Sequence, residues 1–304
     1  MFVFRALPHN NRLPYLYLLA LGLSLLMPLQ TSFANDTKDL TALDFAQYEQ
    51  FTLSQKEMEW IGERIYQNEC ASNPKYLTYW GKGEEFPSLG IGHFIWYTGH
   101  YQADFQETFP DMVEFVSQTN KPPLWLIKLM PFNAPWRSKA EFDQAWSSSK
   151  MTELRNWLLE TKGLQAKFIV RQFMQRTNLS LTEIHKKQPA KADKIQNLIN
   201  QLFGFKEGRF AVVDYANFKG IGNSKEQYNG EQWGLFSVLE EMDVTGLDHK
   251  PNMNEIEQKR LLERFVQSAK SRLLLRVKLS PKKRGEKRWL EGWFKRLDGY
   301  INNT

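Results

Sequence analysis

Apolar and polar positions follow two different rhythms along the chain. From about Leu53 to Ala71, apolar side chains fall at Met58, Ile61 and Ile65, the spacing of a helix with one dry face. Ser54-Gln55-Lys56-Glu57 opens that helix as a capping box, in which serine and glutamate satisfy each other's backbone amides, and Pro74 lies just past its end. Between Tyr76 and Tyr97 the rhythm changes. The stretches YLTYW and FPSLGIGHFIWY are rich in β-formers and are broken by Gly81-Lys82-Gly83, which predicts a small antiparallel sheet of two or three strands. After Asp104 the helical period returns, predicting helices over 105–119, 123–129, 139–145, 150–162, 164–187, 190–202, 210–218, 233–242, 254–278 and 287–300. Pro122, Pro123, Pro131 and Pro135 make 120–136 the irregular stretch. The expected fold is α+β and mainly helical, with the small sheet after the first helix.

The N-terminus changes the picture of where this fold works. Arg5 and Arg12 precede an apolar run of about fifteen residues from Leu13 to Met27, and Ser32-Phe33-Ala34 supplies the small residues of a cleavage site. Residues 1–34 therefore read as a secretory signal peptide, with an uncleaved anchor as the alternative. The pattern suits bacterial export to the periplasm. Residues 35–50 form a polar leader, and 51–304 a single domain. One cysteine, Cys70, excludes an internal disulfide. The chain carries a net +6, and the charge is uneven: Glu255–Thr304 holds fourteen basic and six acidic residues. That basic end suits an anionic polymer or membrane surface, or is the wet face of a helix docked through Trp289 and Trp293. Nucleic acid is not an expected partner of an exported chain.

Candidate chemistry gathers near the first helix. Glu69 lies four residues after Ile65 and eight after Ile61, so it shares their apolar face. A carboxyl there is costly unless it is protonated or paired, and pairing with an arginine is the alternative to a catalytic role. Glu84 and Glu85 follow at the hairpin, just before SLGIGHFIWYTG, where two glycines one residue apart mark a bulge or a close backbone approach. A protonated carboxyl on one side and a second carboxyl on the other is what cleavage of a glycosidic bond needs. Cys70, with His93 or His100 as base, is a weaker nucleophile candidate. No His or Cys spacing suggests a metal, and no cofactor is expected. Trp80, Trp96, Tyr97 and Trp233 either stack on sugars or pack the core.

The stretch NE…YLTYWGKGEEFPSLGIGH resembles the catalytic start of the phage-type lysozymes, the endolysin family. A second segment, FAVVDYANFKGIGNSKEQYNGEQWGLFSVLEEM, resembles a later part of the same family. The resemblance covers roughly 54–98 and 208–243, leaving a helical insertion over about 104–205 and a basic helical extension over about 250–304. It implies a lysozyme-like fold in which Glu69 is the general acid, Ser88 takes the place of the hairpin threonine, and Gly90, Gly92 and His93 form the cleft floor. It also implies that Tyr215 and Asn217, with Asp214 and Trp233, lie near substrate. The hairpin aspartate of the family is absent, so Glu84 would stand in for it, and the spacing from Glu69 to Gly90 is about four residues longer than in those enzymes.

The export pattern and the resemblance together imply an exported glycosidase acting on peptidoglycan, either a muramidase or a lytic transglycosylase. The alternative is a non-catalytic envelope protein of the same fold that binds glycan strands or a partner enzyme.

Overall fold

The computed structural model describes residues 53–99, 105–222, 227–247 and 253–302. The expected signal peptide and leader lie outside the described residues, as do His100 and His249. Helix α1 runs over Gln55–Cys70. Its capping box forms: the Ser54 hydroxyl accepts from the Glu57 amide at 3.3 Å, and the Glu57 carboxylate accepts from the Ser54 amide at 3.2 Å. The helix stops where Ala71 and Ser72 turn left-handed at φ 48° and 53°, followed by a single 3₁₀ turn over Pro74–Leu77.

That turn delivers the chain into three two-residue strands, β1 (Thr78–Tyr79), β2 (Ser88–Leu89) and β3 (Phe94–Ile95). They form an antiparallel sheet in the order β1-β2-β3, with Thr78 opposite Leu89 and Leu89 opposite Phe94. So small a sheet is not stable alone; it is held because Leu77, Leu89 and Phe94 enter the main core.

The rest is helical: α2 (Phe109–Ser117), α3 (Leu124–Ile127), α4 (Lys139–Gln144), α5 (Ser149–Glu160), α6 (Lys162–His185), α7 (Pro189–Phe203), α8 (Lys206–Lys219), α9 (Leu235–Glu241), α10 (Glu255–Leu279) and α11 (Leu290–Ile301). Among the described residues the protein is thus mainly helical with one small antiparallel sheet. Helix edges depart from the periodicity by up to four residues: α2 starts at Phe109 rather than 105, α8 at Lys206 rather than 210, and a 3₁₀ turn over Glu286–Trp289 precedes α11. No described helix is long and apolar enough to cross a membrane.

Two helices position the site. α1 packs along α6 so closely that a Cβ on Gly62 would lie 2.8 Å from the Lys162 carbonyl oxygen, so only glycine allows the approach. α8 is buried from Gly208 to Ala216, with hardly a wet face, and contacts α1, α6, α7, α9, α10 and α11. One contiguous cluster of buried side chains runs from Ile61 in α1 to Tyr300 in α11. The stretch expected as an insertion joins this core through Phe109, Phe142, Leu158 and Ile195, and the basic end joins it through Leu262, Trp293 and Leu297.

Candidate functional site

Glu69 sits in the last turn of α1, where it is 16% exposed. Helix carbonyls converge there, so the position disfavours an anion. Three other elements compensate. From α11, the Arg296 Nη2 donates to Glu69 Oε1 at 2.7 Å. From the end of α8, Asn217 Nδ2 donates to the same oxygen at 3.3 Å. From the bend between β2 and β3, His93 Nδ1 stands 4.0 Å from Glu69 Oε2. That last distance is an electrostatic contact, too long for a hydrogen bond.

Arg296 is shared. Its Nε and Nη2 donate to the two oxygens of Asp214 in α8, at 2.8 and 2.7 Å. Asp214 is fully buried and also accepts from the Tyr300 hydroxyl at 2.5 Å and from Asn68 Nδ2 at 3.2 Å. The guanidinium stacks over Phe218, 4.2 Å from the ring centre. This is one cation serving two carboxylates, with a tyrosine closing the far side.

The electrostatics reverse an expectation. Burial pushes the Glu69 carboxyl up, but Arg296, then His93 and Asn217, outweigh it and hold the group below the usual carboxylate range. Glu69 is therefore an anion at rest, not the protonated acid of an apolar crevice. Its arginine partner is the alternative that the apolar-face argument left open. Burial lowers His93, and Glu69 only partly opposes this, so the imidazole is neutral at neutral pH. At the hairpin the opposite holds. Burial raises Glu84, opposed by a hydrogen bond from the Gly81 amide at 3.0 Å. The two carboxyls thus have the reverse of the expected bias.

The twin-glycine bend is held from behind. Gly90 has φ +72°, and a Cβ there would lie 2.4 Å from the Gln165 side-chain oxygen. That oxygen accepts from the Ile91 amide at 3.0 Å, while the Gln165 amide donates to the Leu158 carbonyl at 2.7 Å and to the Thr161 hydroxyl at 3.0 Å. A Cβ on Gly92 would meet the Phe94 ring at 2.6 Å. His93 itself is left-handed at φ 48°, which aims its ring at Glu69. The second glycine turn is built the same way: Gly220 at φ +79° ends α8, and Gly222 at φ +106° lies against Gly234, so closely that a Cβ on Gly234 would be 2.4 Å from the Gly222 Cα.

The structure brings together Glu69, His93 and Asn217, with Gly90 and Gly92 shaping the bend. The other candidates lie elsewhere. Glu84 curls back on its own hairpin, where its carbonyl accepts from Trp80 Nε1 at 2.7 Å; Glu85 is exposed. Ser88 is buried in β2. Tyr215 is fully buried and donates to the Trp233 carbonyl at 2.7 Å, so it ties α8 to the start of α9 from inside the core. Trp80, Trp96 and Trp233 are also buried: Trp96 packs on Phe109, and Trp233 on Tyr228, so their faces are spent on packing. Cys70 is buried, and burial, helped by Glu69, pushes its thiol up to about 12. It is no thiolate nucleophile at neutral pH.

Arg296, Tyr300, Asn68 and Gln165 were not legible as site residues. One signal existed. Arg296 falls three residues after Trp293 and four before Tyr300, both buried, so it shares the docking face of its helix. No family model matches this chain, and neither a curated protein nor a solved structure shows significant similarity to it.

Proposed function

We propose that the chain cleaves glycosidic bonds of peptidoglycan, as a muramidase or lytic transglycosylase, from a lysozyme-like arrangement centred on Glu69. The reading is carried by one observation. Both stretches singled out by the family resemblance converge on a single part-exposed carboxylate: the first supplies Glu69 at the end of α1 and His93 in the glycine bend, and the second supplies Asn217 at the end of α8. In this reading the resting carboxylate steadies positive charge on the sugar. It donates a proton only from its acid form, which is favoured by acidification or by a bound glycan that strips its remaining water. Arg296 sets how far the pH must fall.

A second reading, a non-catalytic glycan-binding protein of the same build, is favoured by the hold of Arg296 on Glu69 and by the hairpin bond that occupies Glu84. Clearing of purified sacculi in a zymogram, scanned from acid to neutral pH, separates the two. The glycosidase reading expects clearing by the wild type that Glu69→Gln abolishes, with anhydro-sugar or reducing-end products telling transglycosylase from hydrolase. Clearing that survives Glu69→Gln defeats the assignment of Glu69. Pelleting with sacculi without clearing at any pH favours the binding protein.

A further inference from the structure

Among the described residues, seven large hydrophobic side chains are exposed. Four are scattered: Tyr76, Leu179, Ile256 and Leu274. The other three, Leu124, Ile127 and Met130, fall within one short segment and are 64%, 54% and 90% exposed. They recur every third residue, beginning on the single turn of α3. Isolated exposed apolar residues are ordinary, but a cluster of this kind marks a contact surface.

The chemistry of the surroundings selects the partner. From residue 115 to residue 140 the chain has no acidic residue, and Lys121 and Lys128 are exposed within the segment, with Arg137 exposed beyond it. Lys150 approaches from α5, its Nζ 5.9 Å from the ring centre of Trp125. Lys139 adds little, because it is paired with Asp143 at 2.6 Å. Apolar tips interleaved with cations along one segment match an anionic lipid surface: the hydrocarbon tips enter the acyl boundary and the ammonium groups meet the headgroups. A methionine 90% exposed is a free-standing knob rather than the wall of a groove, so nothing here is shaped to receive a partner helix.

We propose that the 121–131 segment is a membrane-seating wedge that inserts Leu124, Ile127 and Met130 into an anionic bilayer. The inference does not depend on the glycosidase reading. It uses none of the partners of Glu69, which are Arg296, Asn217 and His93, and none of the basic end of the chain, where α11 docks inward through Trp293 and Leu297.

The test uses the full chain with Met130→Cys labelled by a polarity-sensitive fluorophore; Cys70 is buried and does not compete for label. The probe reports this segment alone, whatever the rest of the chain does. With vesicles of equal parts phosphatidylglycerol and phosphatidylcholine, a blue shift is expected. Adding Leu124→Asp and Ile127→Asp should weaken the vesicle titration by at least about tenfold, and far-UV circular dichroism checks that these surface changes leave the fold intact. Substituting Lys121 and Lys128 by glutamine should weaken it by roughly tenfold, less at high salt. No shift with anionic vesicles overturns the proposal. So does an equal shift with phosphatidylcholine alone, or a shift that grows with protein concentration in the absence of lipid, which would make the patch a contact between copies of this chain.

Discussion

Replacing Arg296 by methionine tests the electrostatic account of the site most directly. Methionine keeps most of the arginine stem, and with it the packing on Phe218, while removing the charge. Asp214 then loses two hydrogen bonds of 2.8 and 2.7 Å, and Glu69 loses one of 2.7 Å. Asp214 is fully buried, so water cannot replace the missing donors. Breaking a buried pair from one side leaves an uncompensated charge and costs about 3–5 kcal/mol. For a domain of this size that is a fall in melting temperature on the order of 10 °C. An exposed pair such as Lys139–Asp143, at 2.6 Å, is just as short, yet its loss should cost no more than about 1 kcal/mol. Burial, not distance, decides between them. The assay is urea unfolding followed by circular dichroism on wild type, Arg296→Met, Asp214→Asn and the double variant. The double variant should recover about half the loss, because asparagine still accepts from Tyr300 and carries no orphaned charge. A loss of less than about 1 kcal/mol in Arg296→Met, or a double variant no better than the sum of the singles, refutes the shared-cation account.

The pH dependence of stability follows from two depressed groups. His93 is lowered by burial, so the unfolded chain takes up a proton before the folded one: its stabilising contribution is present above the ordinary histidine value of about 6.5 and is lost as pH falls below it, with a slope of up to about 1.4 kcal/mol per pH unit. Glu69 is also lowered in the fold, by Arg296 against the effect of burial, so its contribution is present above about 4.3 and is lost on further acidification. Thermal melts from pH 8 to pH 5 should show His93→Asn, which tolerates the left-handed backbone, with a flatter profile than wild type; parallel profiles would contradict the burial of a neutral imidazole. Gln165→Leu leaves the Ile91 amide and the Leu158 carbonyl without their partner, costing about 2–3 kcal/mol, and should raise hydrogen exchange at Ile91 and Gly92 specifically; uniform exchange changes would deny that Gln165 holds the bend.

How much of the molecule was legible in the chain depended on whether the cause was local. The capping box at Ser54 and Glu57, the end of α1 before Pro74 and the turn at Gly220 are set by residues within a few positions, and they appear where the pattern placed them; the bend at Gly90 was marked by its own glycines but is held by Gln165, 74 positions after Ile91. Helix edges moved by a few residues where a contact from outside the helix intervened, as at α2, which begins after Thr108, whose hydroxyl accepts from the Ile95 amide at 3.1 Å instead of capping the helix. The site was half legible for the same reason. Spacing from Ile61 and Ile65 put Glu69 on the apolar face. Its protonation state depended on Arg296, 227 residues away, and no local rule ranks that arginine above its thirteen basic neighbours in the last fifty residues.

For the tryptophans, too, the deciding cause was distant. Trp80, Trp96 and Trp233 were open to two readings because an aromatic ring serves a core and a sugar equally well, and the choice is made by neighbours. Trp96 meets Phe109, Phe132 and Trp136, all supplied by the stretch after the sheet that has no counterpart in the family resemblance. That stretch therefore does more than extend the chain: it walls off the residue that follows β3 and buries its indole. The cost of such a wall is a surface of its own, and it is in this stretch, at Leu124, Ile127 and Met130, that the described residues expose the densest run of apolar side chains. Substitutions at those three positions should accordingly leave the Glu69 cluster unchanged. Arg296→Met, on the opposite logic, should weaken the fold without touching the wedge.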